Sequence, residues 1–268
     1  TAATFPAEGP VFQGGFCGWG LYNEGIAENL RYMREELFPP MREMLAKNGG
    51  IAIKPILAES MQMGDENHTR QTAADLLFDK QVLPELFELD LPKEQIMHTV
   101  KYIVETPRFF HCYGQGASRA AAIAADGMEY STMVTAVAGN GVEFGIKIAS
   151  LPGQWFTAEA PMMKGRYTST KYTEKDQLPW IGDSCVVEVA GMGGIAAAAS
   201  PIVCNLRGMT LQESIAQSRE MENICITRNP NYVIPNLDFD CLPVGIDIRL
   251  VLKTGICPAI HGGMFSYE

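Results

Sequence analysis

The run Met63-Gly64-Asp65-Glu66-Asn67-His68-Thr69-Arg70 holds two carboxylates, an imidazole, a carboxamide, a hydroxyl and a guanidinium. Such a set can move a proton at His68 or Glu66 and hold an anionic group on Arg70. Gly64 is suited to end one helix and Asp65 to cap the next, its carboxylate taking the amide of His68. A helix start there favours carboxylate or phosphate groups. A plainer reading fits the same residues: a capped surface helix with Glu66 and Arg70 paired one turn apart, worth roughly a few tenths of a kcal/mol.

A second constellation is Gly182-Asp183-Ser184, then Glu188, then Gly191-Met192-Gly193-Gly194. Glycines opening a helix can aim backbone amides at an anion or a developing oxyanion, or simply let a helix pack tightly on a sheet. The pattern is neither a dinucleotide fingerprint nor a P-loop. Asn140-Gly141 reads as a hairpin turn, with a functional Asn140 side chain as the alternative. Asp247 and Arg249, two apart, suit a structural ion pair on one strand face or a bidentate clamp on a substrate carboxylate. His98, His111 and His261 lack neighbours at metal-binding spacing, and no triad order or G-x-S-x-G elbow is present. No cofactor is indicated with certainty. A divalent metal on the carboxylates and His68 is one option, and capping and hydrogen bonding explain the same carboxylates.

These residues need elements to position them. Ile26, Leu30, Met33 and Leu37 recur at helical intervals, Pro39-Pro40 breaks that helix, and residues 41–47 resume it. Helical periodicity continues over about 52–62, 66–79, 93–104 and 108–126. From Tyr130 the texture changes. Residues 131–137 and 142–148 read as an antiparallel pair around Gly139-Asn140-Gly141, with further strands near Trp155 and Tyr167. The β-branched run 185–189 leads into an alanine-rich helix over 195–200. Thr210 and Glu213 form a capping box for a helix over 210–224. Residues 232–235 and 245–252 read as late strands. The expected class is α+β, a complex mixed α/β domain with an inserted helical bundle. Its parts are a Gly/Pro-rich segment over 1–22, a mainly helical domain over 23–128 and a mixed α/β domain over 129–268.

Composition narrows the function. A net charge of −10 speaks against non-specific binding to nucleic acid or anionic membranes, which needs basic patches. No apolar run is long enough to span a bilayer. Seven scattered cysteines with no C-x-x-C pair fit reduced thiols and a cytoplasmic protein, not a disulfide framework.

Taken in order, seven blocks resemble one family: Met63 to Arg70, Asn140-Gly-x-x-Phe-Gly145, Trp155 to Ala158, Gly182 to Ser184, Gly191-x-Gly-Gly194, Ile234-Pro-x-x-Asp-Phe239, and Gly245 to Arg249 with Thr254-Gly-Ile256. They are similar to the YlbE-like family, which includes a subunit of the bacterial oxamate carbamoyltransferase. The resemblance implies carbamoyl transfer between an N-carbamoyl, oxalurate-type substrate and phosphate, together with partner subunits. By position it places the recurrent polar residues on Asp65, Glu66, His68, Arg70, Asn140, Asp183, Ser184, Glu188, Asp247 and Arg249. In that setting Arg70 or Arg249 clamps an anionic group, Gly191, Gly193 and Gly194 face an oxyanion, and His68 or Glu66 moves the proton.

The chain departs from the family pattern over Gly14 to Gly20, and family members carry a further N-terminal domain. The expected partners are therefore a small anionic substrate and a second chain carrying that segment, in a hetero- or homo-oligomer. Thr1 falls on a threonine that follows a glycine-rich stretch in the family. This raises a rival: the β-subunit of a self-cleaved amidohydrolase, with Thr1 as nucleophile and its own α-amine as base. A third reading is a non-catalytic scaffold subunit.

Overall fold

The computed structural model describes residues 24–167, 170–182 and 184–262. Thr1, the 1–22 segment and Asp183 lie outside the described residues. The chain begins with α1 (Glu24–Tyr32), passes through a π-helical turn (Met33–Leu37) and continues as α2 (Phe38–Asn48). The expected break at Pro39-Pro40 does not occur. Both prolines sit in the first turn of α2, where their missing N–H groups cost little. The wider turn before them shifts the hydrogen-bond register, with the Phe38 amide reaching the Met33 carbonyl.

Four helices follow: α3 (Ile53–Gln62), α4 (Thr72–Phe87), α5 (Lys93–Glu105) and α6 (His111–Ile123). Phe78, Tyr102, Phe109 and Phe110 are buried among them, with ring centroids 5.7–6.4 Å apart for the Phe78–Phe109, Phe78–Phe110 and Tyr102–Phe109 pairs. Then come β1 (Val134–Asn140), β2 (Glu143–Ile148), β3 (Phe156–Glu159) and the short β4 (Ile181–Gly182), in an antiparallel sheet ordered β3-β2-β1-β4. After a 3-10 turn (Ser184–Ala190) the chain forms α7 (Pro201–Leu206) and α8 (Leu211–Glu220). It then makes the hairpin β5 (Cys225–Ile234) and β6 (Asp240–Ile246), and α9 (Ile248–Thr254). The fold is α+β. Buried side chains of the helices, of β1 and of the segment around Ile195 and Ile224 form one apolar cluster.

Several expected boundaries move. Residues 185–189 wind into the 3-10 turn instead of a strand, and the stretch 195–200 contains only a short 3-10 turn over Ala197–Ala199. No strand forms near Tyr167 among the described residues. Residues 248–254 are helical, not extended. Asp247 caps that helix through Oδ1 on the Arg249 amide at 2.7 Å, and Gly255, with φ of 72°, ends it. End signals outweighed the β-branched content. The Thr210–Glu213 capping box forms as expected, with both reciprocal bonds present.

Candidate active site

Residues 64–71 are not the first turn of a helix. They are a loop between α3 and α4, starting at Gly64 with φ of 97°. The loop is pinned from inside: Asp65 N donates to the Ser60 carbonyl at 3.0 Å, and Ser60 Oγ donates to Asn67 Oδ1 at 3.1 Å. Asp65 does cap the next helix, but not through His68. Its Oδ2 accepts the Ala73 amide at 2.6 Å and the Ala74 amide at 3.0 Å, from eight and nine residues upstream. Burial pushes the Asp65 carboxyl up, with the two amides and Arg70 pulling against it. Arg70 Nε lies 3.0 Å from Asp65 Oδ1, so Arg70 pairs with Asp65 and not with Glu66. Glu66 instead folds back to accept the backbone amides of Thr69 and Arg70.

The loop meets the 3-10 turn face to face. His68 Nδ1 and Glu188 Oε1 are 2.8 Å apart, and His68 Nε2 and Ser184 Oγ are 2.7 Å apart. Glu188 is fully buried and His68 nearly so, while Ser184 is only half-buried. Spacing gave no triad, yet residues 116 and 120 positions apart close into a hydroxyl–imidazole–carboxylate chain.

His261 ties the two carboxylates together. Its amide donates to Glu188 Oε1 at 2.9 Å, and its Nδ1 faces Glu66 Oε1 at 3.4 Å. Burial lowers the His261 ring below its ordinary range, so the neutral ring donates from Nδ1. Burial by itself pushes the Glu66 carboxyl up, but His261 and the Thr69 amide outweigh it and hold Glu66 below the usual range. Arg207 closes the ring of charge: Nη2 donates to Thr69 Oγ1 at 2.8 Å, and Glu66 and Glu188 both act on its half-buried guanidinium. The His111 ring stacks on His68 with centroids 6.2 Å apart, and burial holds it neutral, down to about 3.

The glycines have a different task from the one expected. All four amides of the turn are bonded within the protein. Gly191 N reaches the Glu188 carbonyl, Met192 N the Val187 carbonyl, Gly193 N the Glu66 carbonyl and Gly194 N Glu188 Oε1. None of them is left for an oxyanion. Their small size is what the site uses. A Cβ on Gly193, which has φ of 60°, would overlap the Glu188 carboxylate and crowd His68 Nδ1. A Cβ on Gly191 would overlap Val244, and one on Gly194 the Ala259 carbonyl. The packing reading therefore explains these glycines.

The other expected site residues fall elsewhere. Asn140 is exposed at the end of β1, where Oδ1 accepts the Val142 and Glu143 amides at 2.9 and 2.7 Å. The hairpin turn uses that carboxamide. Asp247 accepts the Thr132 hydroxyl at 2.9 Å besides capping α9, and Arg249 is exposed, so the strand-face pair does not form. His111 and His261 were set aside for lack of metal-binding neighbours and Arg207 was not singled out, because no spacing signal marks any of the three. Among the described residues no group of three or more His, Cys, Asp or Glu side chains is arranged to hold a metal ion. The donor chemistry agrees: Glu66 and Glu188 Oε1 already receive N–H groups, and Glu188 Oε2 is the carboxylate oxygen there without a protein partner. A mainly apolar cleft of about 310 Å³ runs past Leu57, Ser118, Val189, Tyr232 and Val244, with none of the relay residues in its wall. Among the described residues no helix is long and apolar enough to cross a membrane.

Fold and site together define an α+β protein whose polar centre is sealed between an inter-helix loop and a glycine-rich turn. Comparison with known proteins gives the family. The family model described as oxamate carbamoyltransferase subunit AllG matches residues 13–184, and the chain belongs to that family. It is 33% identical to the oxamate carbamoyltransferase subunit AllG of Escherichia coli K12 over 93% of this chain, and 36% identical to the uncharacterized protein YahG of the same strain over 90%. The chain spans 60% and 51% of those two relatives' lengths. A crystal structure of a conserved protein of unknown function from Enterococcus faecalis V583 superposes with a TM-score of 0.88 at 33% identity, covering 93% of this chain and 60% of that one.

Proposed function

We propose that the chain carries carbamoyl-group chemistry on a small anionic N-carbamoyl or amide substrate, as a subunit of a carbamoyltransferase-type enzyme. The observation that carries this reading is the hydrogen-bonded chain from Ser184 through His68 to Glu188. A general base with a fixed partner behind it suits the proton transfers of acyl-type exchange at a carbonyl carbon. Arg70, about a third exposed beside the loop, and Arg207, held on Thr69, supply positive charge for a carboxylate or phosphate group. Glu66 acts by holding the loop and His261 in place. Asp65 sets the loop against α4, and the glycines at 191, 193 and 194 let the two halves of the site approach. In this reading Asn140, Asp247 and Arg249 serve the turn and helix ends that frame the site. The further length of the relatives is the natural place for the remaining substrate contacts, on the same chain or on a partner.

The test is phosphate-dependent breakdown of an oxalurate-type substrate by the full-length protein with its partner subunits. Transfer should yield carbamoyl phosphate and should be lost in His68→Ala. Breakdown that proceeds without phosphate and releases carbamate would instead favour the amidohydrolase. Thr1 as its nucleophile would then require that Thr1→Ala abolish it. Full transfer by a His68→Ala complex would favour the scaffold role.

A further inference from the structure

The Ser184–His68–Glu188 chain has a direction. Glu188 Oε1 receives two backbone N–H groups, from His261 at 2.9 Å and Gly194 at 3.2 Å. An oxygen that accepts from both also accepts from His68, so the ring hydrogen of His68 sits on Nδ1. That leaves the lone pair on Nε2, 2.7 Å from Ser184 Oγ, and in that contact only the hydroxyl can donate. The ring is held at both nitrogens, by Glu188 and Ser184, and His111 stacks on one face. Exposure increases along the chain from Glu188 to Ser184, so the sealed end is the carboxylate and the accessible end is the hydroxyl. Ser184 is the first residue of the 3-10 turn that also carries Glu188, so one short element holds both ends of the chain. A hydroxyl used only to hold substrate has no need of a base behind it that is itself oriented by a buried carboxylate.

We infer that Ser184 is a covalent nucleophile that carries the carbamoyl group between donor and acceptor. The inference rests on the carbamoyl reading above and adds to it a two-step path. In the first step Ser184 Oγ attacks the carbamoyl carbon of the N-carbamoyl donor and its proton passes to His68 Nε2. The C–N bond to the donor then breaks, the leaving nitrogen takes the proton back from His68, and the free amide departs. Ser184 is left as a carbamate ester. In the second step an oxygen of inorganic phosphate attacks the ester carbon, giving its proton to His68. The Ser184 C–O bond breaks, the oxygen recovers that proton, and carbamoyl phosphate leaves. Every step also runs in reverse, which gives the experiment its handle.

The full-length complex is incubated with isotope-labelled carbamoyl phosphate and no amide acceptor, quenched, and the peptide containing Ser184 is read by mass spectrometry. One carbamoyl group per site on Ser184 is expected, absent from Ser184→Ala and from His68→Ala. Addition of oxamate should discharge it. Labelled oxamate should exchange into the N-carbamoyl donor without phosphate, which a direct single-step transfer does not allow. An active complex with no adduct and no exchange, or a Ser184→Ala complex that retains transfer, overturns the covalent step and leaves the carbamoyltransferase reading standing. An adduct on Ser184 with no transfer to any acceptor supports the nucleophile and counts against the transferase. Circular dichroism of Ser184→Ala and the thiol variant Ser184→Cys, which should still form a labelled thiocarbamate, separates loss of the nucleophile from loss of the fold.

Discussion

Two clusters of the molecule are built from the same side-chain types and do opposite things. At the site, Glu66, Glu188, His68 and His261 are buried and joined across up to 195 positions of sequence. Where the β5–β6 hairpin meets the end of α8, Arg219 of the helix, Glu222 of the turn after it, and Arg228 and Asp240 of the hairpin form four ion pairs of 2.5–3.5 Å within 21 positions, on side chains 29–50% exposed. The hairpin network pins a surface, where water competes for every charge. In the buried cluster both Glu66 oxygens, Glu188 Oε1 and His68 Nε2 are matched to donors, while Glu188 Oε2 and His261 Nε2 have no protein partner.

The comparison is broken most directly at Glu188. Replacing it with Gln keeps the shape but weakens the preference for a hydrogen on His68 Nδ1, and the wrong tautomer cannot accept the Ser184 proton. Activity of the full complex should fall by about 10⁴-fold, the scale seen when an orienting carboxylate is neutralised, with near-native circular dichroism. A fall below tenfold would reduce Glu188 to a packing element. Gly193→Ala tests the same contact by sterics: its Cβ would overlap the carboxylate at φ of 60°. Overpacking of this kind should cost about 1–3 kcal/mol in denaturant unfolding.

Much of this contrast was legible in the sequence, and what was not has a physical reason. The 63–70 block and Ser184 and Glu188 were visible because reactive side chains clustered there, and the Thr210 cap because its partner is three residues away. The loop conformation of 64–71 was hidden because Asp65 reaches Ala73 and Ala74, beyond any local capping pattern. His261 and Arg207 were hidden because they join the site through tertiary packing alone. Asp247 and Arg249 misled because alternating β-branched residues imitate a strand, while the cap at Asp247 and the left-handed Gly255 that decide for a helix lie at its ends. The glycines at 191–194 were readable as glycines, but whether their amides are free or used is a property of the assembled fold.

A pH experiment sharpens the buried side. His111 is held neutral down to about 3 by burial, with His68 and Arg108 adding to the effect, whereas in the unfolded chain it protonates near 6.5. Its folded value is depressed, so the unfolded state binds the proton first as pH falls. The stability it contributes is present above about 6.5 and is lost progressively toward pH 3. Asp75, pushed up to about 6 by burial, has the opposite sign: the folded state keeps its proton longer, so stability rises as pH falls from about 6 toward 3.8. His111→Asn should therefore gain on the native protein steadily between pH 6.5 and 3 in thermal unfolding, and show no such trend above pH 7. A gap that stays constant with pH would mean that His111 is solvated and only packs against His68.

The smallest effect is expected on the hairpin, and its smallness is the point. Arg228→Ala removes a pair of 2.7 Å to Glu222 and one of 3.5 Å to Asp240, yet it leaves both carboxylates with Arg219. Exposed pairs of this kind gain little, and added salt screens what they gain. Thermal unfolding of the variant should differ slightly from the native protein at low ionic strength and coincide with it in high salt, with activity unchanged. A Glu188→Gln defect should be indifferent to the same salt, because its bonds lie where ions do not reach. If the Arg228 effect instead survives high salt, the hairpin network is a packed structural unit, and burial alone no longer separates the two clusters.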